Sequence, residues 1–186
     1  MSTWKIDPAH TDVNFSAKHM MVTTVHGKFA TVEGTIDLDD AEPQRSHGEF
    51  RVAAASLTTG NEPRDNHLRS ADFFDTEHFP TIAFTSTSLK AMGTDRYRVT
   101  GDLTIRGTTR PATFDVEVLG FYTGMNGQRR VGLTATTKID REAWGLTWNV
   151  GLEAGGWLVS KDVSIEIDVA ADEVPAVVAA ATAHAA

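Results

Sequence analysis

Apolar and polar residues alternate with a period of two along most of this chain, the pattern of β-strands that turn one face to a core and the other to water. Near the start, Val13, Phe15, Ala17 and His19 alternate with Asp12, Asn14, Ser16 and Lys18; Phe50, Val52 and Ala54 then alternate with Glu49 and Arg51. The same rhythm returns at Ile82 and Phe84, at Tyr97, Val99, Leu103 and Ile105, at Phe114, Val116 and Val118, and at Val131, Leu133, Ala135 and Ile139. It is cleanest at the end, where Val163, Ile165, Ile167 and Val169 oppose Asp162, Ser164, Glu166 and Asp168. With the stretch from Val25 to Leu38, the pattern predicts about eight strands, over residues 10–20, 25–39, 47–56, 80–90, 95–106, 109–122, 129–140 and 159–170.

Residues suited to turns fall between these segments: Asp39, Asp40 and Pro43, Gly93 and Asp95, Gly107 and Pro111, and the hairpin pair Asn126–Gly127. Short turns make sequential strands antiparallel neighbours. Two connections are longer, Leu57 to Phe79 and Arg141 to Leu158, and the first predicts a short helix from Pro63 to Ser70, between the third and fourth strands. An antiparallel meander has to hide its edges, and regular up-and-down connections favour closure. The expected fold is therefore all-β: an eight-stranded antiparallel up-and-down barrel, lipocalin-like, with one short helical insertion. Its domain spans residues 1–172, followed by an Ala-rich tail, 173–186. An eight-stranded barrel is just wide enough to be filled by side chains or to hold one small ligand. The small residues at presumed inward positions, Ala17, Ala54, Ser56, Ser86, Gly101 and Ala135, leave both outcomes open.

Composition narrows the partners. The 186 residues are 41% hydrophobic and 23% charged, as in a globular protein, and 17 Lys and Arg against 25 Asp and Glu give a formal charge of -8. That balance argues against nucleic acid, whose binding rests on neutralising phosphates, and against anionic membrane surfaces. The chain has no cysteine, which excludes disulfides, thiolate metal sites and thiol nucleophiles. No apolar run approaches the ~20 residues of a membrane-spanning helix. The opening residues Met1 to Asp7 show no basic patch followed by an apolar stretch, so a cytoplasmic location is expected.

Catalytic signatures such as G-x-S-x-G, H-E-x-x-H, a phosphate-binding loop or a dinucleotide fingerprint do not occur. His10 and His19 have opposite strand parity, which is wrong for shared metal binding, and the pairs Asp65 with His67 and Glu77 with His78 are of a kind that arises by chance. A larger pattern does emerge. Trp4, Ile6, Asp7, His10, Val13, Phe15 and His19, then Gly27, Phe29 and Gly34, resemble the opening of the YceI-like family of lipid-binding proteins. The resemblance continues through Asp65, Leu68, Asp72, Phe73, Phe74, Asp75, Pro80 and Phe84, through Gly101, Leu103, Thr104 and Arg106 to Pro111, and to Arg141 and Gly145. Thr11 stands where the family pattern often has Ser, a change that keeps the hydroxyl. The resemblance implies a lipocalin-like barrel whose apolar cavity holds a polyisoprenoid or similar amphiphile, isoprenoid quinones included, with no established catalytic residues.

In a meander, successive connections alternate between the two ends of the barrel. One end receives the short polar linkers 40–46, 91–94 and 123–128; the other receives Met20 to Val22, Leu68, Phe73, Phe74 and Phe79, the turn Arg106 to Arg110, and Trp144, Leu146, Trp148 and Trp157. These apolar loops either cap the barrel as core or form a lid over a ligand, and the entrance is expected there. Lys18, Arg106, Arg110 and Arg141 gather at the same end and suit an anionic head group such as a prenyl phosphate. The candidate ligand-binding residues are Phe15, His19, Phe29, Phe50, Leu68, Phe74, Phe84, Val99, Leu103, Phe114, Leu133, Arg141, Trp144 and Trp148. The expected partner is a long-chain isoprenoid or other amphiphilic lipid, with a homodimer left open and no catalytic residue, metal or cofactor expected. Two other readings stand beside this one: an enzyme on a small hydrophobic substrate, with His19 as its inward polar group, and a filled barrel serving as an interaction module.

Overall fold

The computed structural model describes residues 1–39, 41–125, 127–153 and 155–175. Eleven strands are present: β1 (Ser2–Ile6), β2 (Asp12–His19), β3 (Thr23–Phe29), β4 (Val32–Leu38), β5 (His47–Ala53), β6 (Leu57–Thr58), β7 (Thr81–Ala91), β8 (Arg96–Ile105), β9 (Thr108–Thr123), β10 (Arg129–Asp140) and β11 (Val159–Glu173). The helix α1 (Glu62–Arg69) lies within the first long connection, as the sequence predicts. Its start follows from Asn61, whose side chain accepts the Arg64 N–H, and from Pro63 in the first turn, where a missing N–H costs nothing.

All pairings are antiparallel, and the ring β1-β4-β5-β7-β8-β9-β10-β11 closes where β1 also pairs with β11. It is an eight-stranded closed antiparallel barrel. Two of its sides are broken strands, which accounts for the difference from the predicted segments. A 3-10 turn at Pro8–His10 separates β1 from β2, and both run along β11, β1 near Ala171 and β2 from Asp168 to Val159. Asp7 accepts the Ala9 N–H and faces Arg130, while the Thr11 hydroxyl bonds to both the N–H and the carbonyl of Ala170, so the side runs on across the kink. The single predicted strand 25–39 is likewise two strands, because at Ala30 and Thr31 the chain leaves β5: β4 pairs with β5, and β3 pairs with the two-residue β6. The segment expected over 47–56 ends at Ala53, where Ala54–Ser56 turn into a 3-10 helix. Asp40, Asn126 and the tail from residue 176 to 186 lie outside the described residues.

Two glycines are required by close packing across strands. A Cβ at Gly101 would fall 2.4 Å from the Thr85 carbonyl and 2.5 Å from the Phe84 ring; at Gly34 it would fall 2.5 Å from the Glu49 carbonyl and 3.0 Å from Phe50. Phe84 and Phe50 thus lie flat on bare backbone instead of standing across the barrel. Between β8 and β9, Arg106 and Gly107 both have positive φ, 47° and 71°, the two-residue turn whose twist matches that of the flanking strands.

The interior divides into two packed regions. One gathers Trp4, Ile6, Val13, Phe29, Val32, Leu57, Val131 and Ala171, with Phe15, Leu68 and Phe74 packed against it. The other joins the two long insertions: Phe73 from the first and Trp144 and Leu146 from the second are buried with Leu103, Ile105, Ala112, Phe114 and Ala135 of the wall.

Candidate ligand cavity

Inside the barrel lies a cavity of about 330 Å³, at the lower end of the ~300–1,000 Å³ usual for small-molecule sites. Its walls are apolar and come from seven sides of the barrel: Ile36 on β4, Phe50 and Val52 on β5, Phe84 and Leu89 on β7, Val99 and Leu103 on β8, Phe114, Val116, Val118 and Phe121 on β9, Leu133 and Ala135 on β10, and Ile165, Ile167 and Val169 on β11. Small residues leave the space: Ser86, Gly48 and Ala135 line it, and Phe84 is folded down over Gly101. Leu103, Phe114 and Ala135 belong both to the cavity and to the packed cluster of the insertions, so that cluster is the floor.

The other end of the cavity is bordered by Leu38, Asp39, Pro43, Ser46, His47, Asp95 and Tyr97, at the end of the barrel with the short linkers. This reverses the expectation of an entrance among the apolar loops. The two long insertions pack there as a plug, while Met20, Met21, Val22 and Trp157 at the same end are exposed. Trp144 is 5% exposed and its indole N–H donates to the Leu103 carbonyl at 2.9 Å. Trp148 stacks edge-on against His67 and tilts against Phe73. Loop apolarity measures burial, and burial serves capping as well as lining, so the sequence left the choice open.

Arginines hold the plug in place. Arg106 donates to the Ala71 carbonyl (2.6 Å) and to the Gly145 carbonyl (3.1 Å), tying one insertion to the other. Arg141 is 4% exposed; it donates to the Ser160 carbonyl (2.9 Å) and to the Leu146 carbonyl, and its guanidinium lies over the Phe73 ring. Burial lowers its pKa, against the pull of Glu142 and Asp140. Arg106 and Arg141 therefore serve backbone carbonyls at the floor and do not surround the cavity's rim.

Of the fourteen candidate ligand residues, Phe50, Phe84, Val99, Leu103, Phe114 and Leu133 line the cavity. Phe15, Phe29, Leu68 and Phe74 pack together in the core instead, where β2, β3 and β6 splay away from β5. Trp144, Trp148 and Arg141 belong to the plug, and His19 sits at the end of β2 opposite Thr23 and Val159. Strand parity correctly marks Phe15 as inward, but inward on β2 and β3 means core. Leu89 and Phe121 were missed because β-bulges shift the register on β7 between Ser86 and Ser88 and opposite Gly132–Leu133 on β9. Each extra residue brings to the inner face a side chain that strict alternation would put outside. His47, beside Asp37 at 3.1 Å, is the cavity-lining histidine among the described residues.

Residues 4–171 match the YceI-like domain. The chain belongs to the YceI-like family. A UPF0312 protein of Staphylococcus aureus (strain USA300) is 37% identical over 167 residues, covering 89% of this chain and 95% of its own length. Among solved structures, the Campylobacter jejuni YceI protein superimposes with a TM-score of 0.74 at 29% identity, covering 85% of this chain and 90% of that one. A polyisoprenoid binding domain from Saccharophagus degradans shares the fold, with a TM-score of 0.66 at 15% identity over 94% of this chain and 100% of its own. In this YceI-like chain no group of three or more metal-ligating side chains is found among the described residues, and no helix there is long and apolar enough to cross a membrane.

Proposed function

We propose that this protein binds the hydrocarbon tail of an isoprenoid-type amphiphile in the barrel cavity, as a carrier or store, without chemical turnover. The observation that carries this reading is a walled apolar cavity, floored by the plug and bordered by polar side chains at one end only. A tail inside it gains about 0.8 kcal/mol for each buried CH₂ group, so affinity needs no polar contact. The polyisoprenoid-binding function named for the Saccharophagus relative agrees with an isoprenoid tail. Turnover is no part of the proposal because His19, the inward polar group considered for catalysis, lies outside the cavity walls.

Filling the cavity tests the reading. Ala135 lines it with 8% of its surface exposed, and Ala135→Phe places a ring in empty space. The variant is expected to fold with a thermal midpoint equal to or above that of the parent, and to retain no prenyl lipid in native mass spectrometry after incubation with excess lipid. Undiminished lipid retention by the folded variant would place the binding site elsewhere.

A further inference from the structure

The cavity's polar end differs in charge from the head-group site that the sequence suggests. The acidic residues Asp39 and Asp95 line it together with His47, while no lysine or arginine does so among the described residues. One oxygen of Asp39 accepts the N–H groups of Ala41 (3.1 Å) and Glu42 (3.0 Å). These bonds, the one from Glu42 foremost, hold its carboxyl below the usual range, so it is anionic at neutral pH. The amino terminus and Arg45 are the cations that act on Asp39; Arg45 stands 3.8 Å from both Asp39 and Glu42 and is itself largely exposed. Two other arginines toward this end are also matched: Arg96 with Glu117, and Arg129 with Glu173 at 3.1 Å. Arg106 and Arg141 are at the floor, bonded to carbonyls.

Resting on the carrier reading, we infer that this rim selects amphiphiles with an uncharged, hydrogen-bonding head and rejects the corresponding phosphates. With the tail against Phe84, Leu103 and Phe114, the head comes to the rim at Asp39, Ser46, Ser86 and Asp95. Ser46 and Ser86 accept the backbone N–H groups of Asp39 and Gly48, which leaves each hydroxyl proton for a carbonyl or hydroxyl oxygen of the ligand. A phosphate in that position would lose part of its hydration to face two carboxylates, and like charges brought together at a binding surface oppose association strongly.

Equilibrium dialysis of the full chain against radiolabelled farnesol and farnesyl monophosphate, at low and at high ionic strength, tests this. The alcohol is expected to bind about tenfold or more tightly than the phosphate at low salt, with the gap narrowing as salt screens the repulsion. The double variant Asp39→Asn, Asp95→Asn keeps oxygen acceptors for Ala41 and Glu42, and should narrow the alcohol-to-phosphate affinity ratio at low salt by several-fold. Phosphate binding equal to or tighter than alcohol at low salt overturns the inference and leaves the carrier reading standing, as does a double variant in which the ratio does not move. Failure of both lipids to bind overturns the carrier reading, and the inference with it.

Discussion

Arg141 shows how far a side chain's role depends on its surroundings. In a chain with a formal charge of -8 it reads as a ligand-facing cation, yet it is buried among Phe73, Ser160 and Leu146 with a guanidinium nitrogen that has no hydrogen-bond partner. A buried charge without a carboxylate partner is expensive, and its two carbonyl contacts are what it returns. Arg141→Ala leaves those carbonyls unpaired and opens a hole under Phe73, so a loss of about 1–3 kcal/mol in chemical denaturation is expected. Arg141→Met fills the space and removes the buried charge, and should cost less than Ala. Lipid retention by either folded variant should match the parent; a selective loss of binding would return Arg141 to the ligand site.

At the scale of elements, the helical insertion is held to the barrel by a buried carboxylate, an arginine and apolar packing. Asp65 on α1 is buried and accepts the Thr59 N–H (2.8 Å) and the hydroxyls of Thr58 (3.0 Å) and Thr59, pinning α1 to the end of β6. Arg69 on the same helix donates to the Ala55 and Leu57 carbonyls. Through Leu68, Phe73 and Phe74 this insertion joins both packed regions, so its anchoring governs the floor of the cavity. Asp65→Ala leaves the Thr59 N–H without its acceptor and should lower stability by about 1–3 kcal/mol. Hydrogen exchange should rise first over residues 57–79 and only later in β8 to β10. Uniform exchange across the barrel would mean that the insertion does not open independently.

For the whole molecule, several ionisable groups set a pH profile. Asp7 is held below the usual carboxylate value of 3.8 by the hydrogen bond with His10, aided by Ala9 and Arg130. Asp65 is pushed up by burial, but hydrogen bonds from Thr59 and Thr58 outweigh this and hold it low. A carboxylate with a depressed folded pKa contributes stability above its unfolded value, and that contribution is lost as pH falls through the folded value. The urea midpoint should therefore be flat from about pH 5 to neutrality and decline below about pH 4. His78 has the opposite sign: the hydrogen bond to Asp75 raises its pKa above 6.5, so its small contribution is complete below 6.5 and fades as pH rises through the raised value. In the variant Asp7→Asn, Asp65→Asn, the acid decline should become shallower; an unchanged slope would assign it to other carboxylates.

Local alternation, turn residues and the helix start at Pro63 were enough to determine an antiparallel barrel with one helix, because strand period and helix starts are properties of neighbouring residues. They also singled out Phe50, Phe84, Val99, Leu103, Phe114 and Leu133 as cavity wall. Three matters were decided only by the tertiary structure. The splits at Pro8–His10 and Ala30–Thr31 depend on which strand lies alongside, and they turn Phe15 and Phe29 from lining into core. The bulges on β7 and β9 depend on cross-strand register, and they bring Leu89 and Phe121 to the cavity. The open end depends on whether two insertions far apart in sequence pack on each other. Alternation cannot tell a lid from a plug, since both are apolar; the contacts of Phe73, Trp144 and Leu146 with the wall, tied together by Arg106, make this one a plug.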